Sequence, residues 1–211
     1  MPDYEDRLNE ITAAAIAELT KKHAAREVAI QASREIIRLS ANAIRAVHRQ
    51  EMAEASKMAE GAGAKVTEVR DLVREEYPDL YYTGYTQDAQ KEYAEARLCY
   101  AFIADSELPT PGDIGVEVAP YLNGMAEAAS ELRRFILDSL RRDDDSRSEE
   151  LMGKMDDAYN MMVGIDFPDA LTGGLRRTTD QLRGVLERTR GDLTMAMRQR
   201  RLERMLAARE G

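Results

Sequence analysis

Apolar residues return every third or fourth position along most of this chain. No segment alternates apolar and polar residues convincingly enough to be a strand. From about Asp3 to Lys57 neither glycine nor proline interrupts the pattern, and Gly61-Ala-Gly63 is expected to close that first helical block. At about 100° per residue, Val28, Ala32, Ile36, Leu39, Ala43 and Val47 form one flank of a broad apolar face, and Ile30, Ile37 and Ile44 form the other. Further helices are predicted from about Lys65 to Tyr77, stopping before Pro78, and from Leu80 or Thr86 to Ser106. Pro109-Thr-Pro-Gly112 reads as a turn that leads into a short helix ending near Val118. Another helix runs from about Pro120 into the polar stretch Arg141–Arg147, a next one from Ser148 to Val163, and a last one from Pro168 or Gly174 to Ala208. In that last block Leu175, Leu182, Leu186, Leu193 and Met197 recur at near-heptad spacing. The chain is therefore expected to be all-α, a single helical domain over residues 1–211. The first and last blocks carry wider apolar arcs than a bundle of 23.7 kDa can cover alone, so a closed homo-oligomer is expected.

Composition sharpens this picture. Tryptophan is absent, aromatics are 6% of the chain, and no apolar run approaches the ~20 residues of a membrane span, which favours a helical protein of the cytoplasm with no membrane partner. Cys99 is the one cysteine, so an internal disulfide and a cysteine-rich zinc site are both excluded; it reads as a small buried residue. The net charge of −9 argues against a protein that coats nucleic acid indiscriminately. Distribution matters more than the sum. Arg34, Arg38, Arg45 and Arg49 fall within about 60° of one another on the first block, a stripe able to meet phosphates or simply to face water.

Candidate chemistry sits in two carboxylate pairs. With Glu92 as origin of the helical wheel, Glu95, Cys99, Phe102 and Ile103 fall on the same side, while Gln90 and Arg97 face away. Ionised glutamates on an apolar face cost several kcal/mol unless they are paired or bound to metal, and salt bridges to arginines of another helix would satisfy them equally. Glu127 and Glu131 are one turn apart and project together, roughly opposite the stripe of Leu122, Met125, Ala129, Leu132 and Ile136. Alone, that pair is a solvated face. Were the two pairs to meet, Glu92, Glu95, Glu127 and Glu131 would make an all-oxygen cluster suited to Mg²⁺ or Mn²⁺, able to activate water against a phosphodiester. Arg133 and Arg134 adjoin the second pair as further phosphate contacts. Other site types are missing: there is no Glu-x-x-His di-iron signature, no phosphate-binding glycine loop and no nucleophile elbow.

Three segments resemble the translin superfamily, and within it translin-associated factor X (TRAX). They are Lys22-His23 with Ser33-Arg34-Glu35, Ser40 and His48-Arg49; Glu92-Tyr-Ala-Glu95-Ala96; and Tyr121-Leu-x-Gly-Met-Ala-Glu127-x-x-x-Glu131-Leu-x-Arg134. The order of helices also agrees, so the likeness spans nearly the whole chain. Two positions depart from the TRAX pattern. Glu127 stands where TRAX more often has Asp, and Pro120 stands where an Asp commonly precedes Tyr121. The resemblance implies a bundle of about seven helices assembled into a closed octamer with RNA inside, alone or with a translin subunit. It implies a Mg²⁺-dependent endoribonuclease with Glu92, Glu95, Glu127 and Glu131 as its acidic set. A non-catalytic translin-like scaffold for single-stranded nucleic acid is the alternative, and a helical adaptor without nucleic acid is a third.

Overall fold

The computed structural model describes residues 3–210. Helices account for it throughout: α1 (Tyr4–His48), α2 (Met52–Val73), α3 (Pro78–Tyr81), α4 (Gly84–Ala104), α5 (Pro111–Ile114), α6 (Val118–Leu140), α7 (Ser148–Val163), α8 (Asp169–Thr172) and α9 (Leu175–Glu210). Among the described residues there is no strand, so the all-α expectation holds. None of these helices is long and apolar enough to cross a membrane. Three of them, α3, α5 and α8, are single turns started by proline or set just after it.

The first block is divided differently from the expectation. It ends at His48, and Gly61 and Gly63 lie inside α2 rather than after a helix. A polar turn makes the break: Gln50 takes φ +62°, and the Gln50 and Glu51 N–H groups donate back to Val47 O and Ala46 O. Gly63 is small because α4 presses on it. A Cβ there would meet the Tyr93 hydroxyl, so the residue that looked like a stop signal serves helix packing.

α4 is the central helix, packed along α1, α2 and α6. Its buried residues lie all round, including Gln90, which the helical wheel had turned away from the core. Gln90 is buried because its Oε1 accepts the Glu117 backbone N–H at 2.8 Å, capping the start of α6. α6 then packs against α7 and α9, with Leu132 and Ile136 fully buried. Asn123 ties α8 and the start of α9 to α6: its Nδ2 donates to Thr172 O of α8, and its Oδ1 accepts from Thr178 Oγ1 of α9. The predicted seam of α9 is buried at Leu175, Leu182, Leu186 and Leu193, but Met197 is exposed, and so are Leu202, Met205 and Leu206 beyond it. α1 has the converse asymmetry. Its first buried residue is Ala25, and Val28, expected on the apolar flank, is 45% exposed.

Candidate metal centre

The two carboxylate pairs meet where α4 crosses α6. Gly124 is what lets them. A Cβ at that position would lie 2.7 Å from Lys91 O and 2.9 Å from Glu95 N, both backbone atoms of α4, so only glycine permits this approach. One oxygen from each of Glu92, Glu95 and Glu127 then falls within 4.8 Å of the others. Sequence distance is bridged by helix crossing. The fourth predicted residue, Glu131, lies one turn further along α6, and its Oε2 is 2.6 Å from His48 Nε2.

The four carboxylates differ in environment. Glu95 is 8% exposed, and its carboxyl is pushed up to about 8, first by burial and then by the charges of Glu127, Glu92 and Glu131. Glu131 is held below the usual carboxylate range, chiefly by its hydrogen bond to His48. It is therefore an ionised acceptor, and the His48 Nε2–H must be the donor. Lys91 Nζ donates to both oxygens of Glu127, at 2.8 and 2.6 Å, and lies 3.3 Å from Glu92. Burial works against the Lys91 charge, but these carboxylates outweigh it and raise the ammonium above its ordinary value. Beside the cluster, burial pushes the Cys99 thiol up, so it is no nucleophile.

This donor set suits a hard divalent ion. All donors are carboxylate oxygens, they are fixed on two helices, and one cationic side chain, Lys91, is bound to two of the three acidic groups. Lys91 and Glu127 also line an open cleft of about 830 Å³ that extends past Gln87 and Pro120 to Arg177 and Gln181 of α9.

The predicted arginines divide into two groups. Arg34, Arg38 and Arg45 are exposed on α1, and Arg49 is exposed in the turn just after it. Arg38 is bonded to Glu35, Arg45 to Asn42 and Arg49 to Glu51, whereas Arg34 makes no such bond among the described residues. Arg133 is turned to α9, where it binds Asp192 and Thr189. Arg134 is the member of its pair whose charge reaches Glu131. Reasoning from charge patterns missed two residues of the site. Lys91 lies about 40° from Glu95 on the wheel of the same helix, a signal that was present. His48 is far away in sequence, and no spacing points from it to Glu131.

No known family's sequence profile matches the chain. An uncharacterised protein of Methanocaldococcus jannaschii is 28% identical over 181 residues, 83% of this chain and 78% of that protein. Among solved structures, the AfC3PO–duplex RNA complex and AfC3PO itself are each 32% identical with TM-score 0.82, covering 92% of this chain and 98% of theirs. Apo-NeC3PO, at 20% identity and TM-score 0.77 over 93% of this chain and 98% of its own, shares the fold.

Proposed function

The chain belongs to the translin superfamily, to which the C3PO structures it resembles also belong, and on that premise we propose that it is a metal-dependent endoribonuclease of the TRAX type. The observation that carries this reading is the convergence of Glu92, Glu95 and Glu127 on one point beside an open cleft. These three side chains would hold Mg²⁺ or Mn²⁺, and Glu131, kept anionic by His48, completes the acidic set from one turn away. A bound ion of this kind lowers the pKa of water and neutralises charge on a phosphodiester. The chain's own groups do the rest. α4 and α6 fix the carboxylates, a glutamate of the set accepts the proton of the attacking water, and Arg34, Arg38, Arg45, Arg49 and Arg134 hold phosphates. Arg133 supports Arg134 by anchoring α6 to α9.

The relative with duplex RNA supports RNA as the partner. The exposed apolar stripes of α1 and α9 support a homo-oligomer, with eight copies as the proposed number and the cytoplasm as the place of action. Light scattering that finds a stable monomer at micromolar concentration overturns the assembly.

The non-catalytic scaffold stays as the second reading because the Lys91–Glu127 and His48–Glu131 contacts are also what a structural network would make. An RNA-cleavage assay comparing Mg²⁺, Mn²⁺ and EDTA separates the two. On the nuclease reading Glu95→Gln or Glu127→Gln abolishes cleavage while RNA affinity is equal or higher. If these variants cut RNA as fast as the parent, the carboxylates are structural and the scaffold reading stands.

A further inference from the structure

Among the described residues the cluster of Glu92, Glu95 and Glu127 has one bound side-chain cation, Lys91, which pairs with Glu92 and Glu127. Its Nζ is 2.6 and 2.8 Å from the two oxygens of Glu127, so the ammonium covers the bidentate face of that carboxylate. A divalent ion needs the same oxygens, and two cations cannot share them at these distances. The lysine has somewhere else to go. Lys91 lines the cleft of about 830 Å³ next to Glu127, and its four-carbon stem is flexible.

We propose that Lys91 is a tethered cation that holds Glu127 until a divalent ion displaces it, and that the freed ammonium then takes a phosphate of the RNA strand in the adjoining cleft. This rests on the metal-centre reading above. Lys91 is in that case a positioning residue with two stations. The first offsets part of the cluster's negative charge and keeps α4 joined to α6 before metal arrives. The second adds one phosphate contact only after it arrives, which couples metal loading to strand binding. No bond is made or broken; one cation replaces another on Glu127.

The test uses the full chain without turnover. Mn²⁺ binding is followed by electron paramagnetic resonance of the free ion for the parent, Lys91→Gln, Lys91→Arg and Glu127→Gln, with far-UV circular dichroism confirming that each is folded. Lys91→Gln is expected to bind Mn²⁺ about tenfold tighter, the scale of one charge-assisted hydrogen bond, and Lys91→Arg, which keeps the charge, to stay near the parent. RNA binding is then measured against salt in Ca²⁺ and in EDTA. Lys91→Gln should lower the salt slope by about one in Ca²⁺ and leave it unchanged in EDTA, where the parent's ammonium is still held on Glu127. Equal or weaker Mn²⁺ binding by folded Lys91→Gln overturns the proposal, and so does an unchanged slope in Ca²⁺. The two readings fail differently. If parent and Lys91→Gln bind Mn²⁺ equally and Glu127→Gln does not bind it, only the role of Lys91 falls. If neither parent nor Lys91→Gln binds Mn²⁺, the metal centre falls and takes the tether with it.

Discussion

Glu95→Gln should make the metal-free protein more stable at alkaline pH and leave it nearly unchanged at acid pH. In the folded chain the Glu95 carboxyl is pushed up from 4.5 to about 8, with burial as the leading cause, the neighbouring glutamates next, and Lys91 opposing. Between those two values the folded protein keeps a proton that the unfolded chain has lost. Stability therefore falls as pH rises through that window and levels off above about 8. At about 1.4 kcal/mol per pH unit, the interval sets a ceiling of about 5 kcal/mol on the loss. Glu92 and Glu127 are partly open to solvent, which weakens their repulsion of Glu95, so a loss of about 2–4 kcal/mol is expected. Glutamine keeps the shape and cannot titrate. The assay is urea unfolding in EDTA at fixed protein concentration, read by circular dichroism, from about pH 5.5 to about pH 9. The stability difference between variant and parent should grow from the acid end to about pH 8 and then level off, and saturating Mn²⁺ at the alkaline end should stabilise the parent more than the variant. A difference that stays constant with pH would refute the buried, crowded carboxyl inferred at this position.

Gly124→Ala places a methyl group against Lys91 O and Glu95 N, so α4 and α6 must separate; a loss of about 1–3 kcal/mol in thermal unfolding is expected, with weaker Mn²⁺ binding. His48→Phe removes the donor to Glu131 and should cost about 1–3 kcal/mol at neutral pH. Because His48 holds the Glu131 carboxyl below its ordinary 4.5, the stability it supplies is present above that value and is lost as pH falls through the folded one, so the cost of His48→Phe should fade in acid. Replacing Arg34 and Arg38 together with Ala should weaken RNA binding and lower its salt slope by about two; an unchanged slope in a binding titration would move the phosphate contacts away from α1.

The helical class and most helix limits were legible because periodicity and proline placement are local signals; α7 begins and ends where the pattern predicts. The division between α1 and α2 was not legible. Its turn uses Arg49, Gln50 and Glu51, residues that elsewhere propagate helices, while the real glycines answer to Tyr93 on a different helix. Gln90 was misplaced for a related reason. A wheel sorts residues by polarity and has no knowledge of an orphan N–H at the start of α6 waiting for an acceptor. At the site, each glutamate pair was visible in its own helix, but their meeting depends on Gly124, and the meaning of that glycine appears only when α4 lies against it. The divergence between Glu95 and Glu131 was beyond sequence reasoning altogether, since it is set by depth of burial and by His48.

Before Ala25, α1 buries none of its described residues. Its twenty-one residues from Tyr4 to Ala24 span about 30 Å of helix with no core beneath them. Such a segment has an opening free energy of its own, because within the chain its amides are protected by helix propagation and one Lys22–Asp79 ion pair, and isolated helices are marginal in water. Hydrogen exchange along α1 of a dissociated single chain should therefore change abruptly near Ala25, fast before it and slow after it, and assembly through the exposed Leu8, Ile11, Ile16 and Leu19 should slow the first half. A substitution that weakens the core around Leu132 will lower protection in the second half of the helix and leave the first half as it was. Two thermodynamic units thus share one continuous helix, one governed by packing within the chain and the other by association between chains.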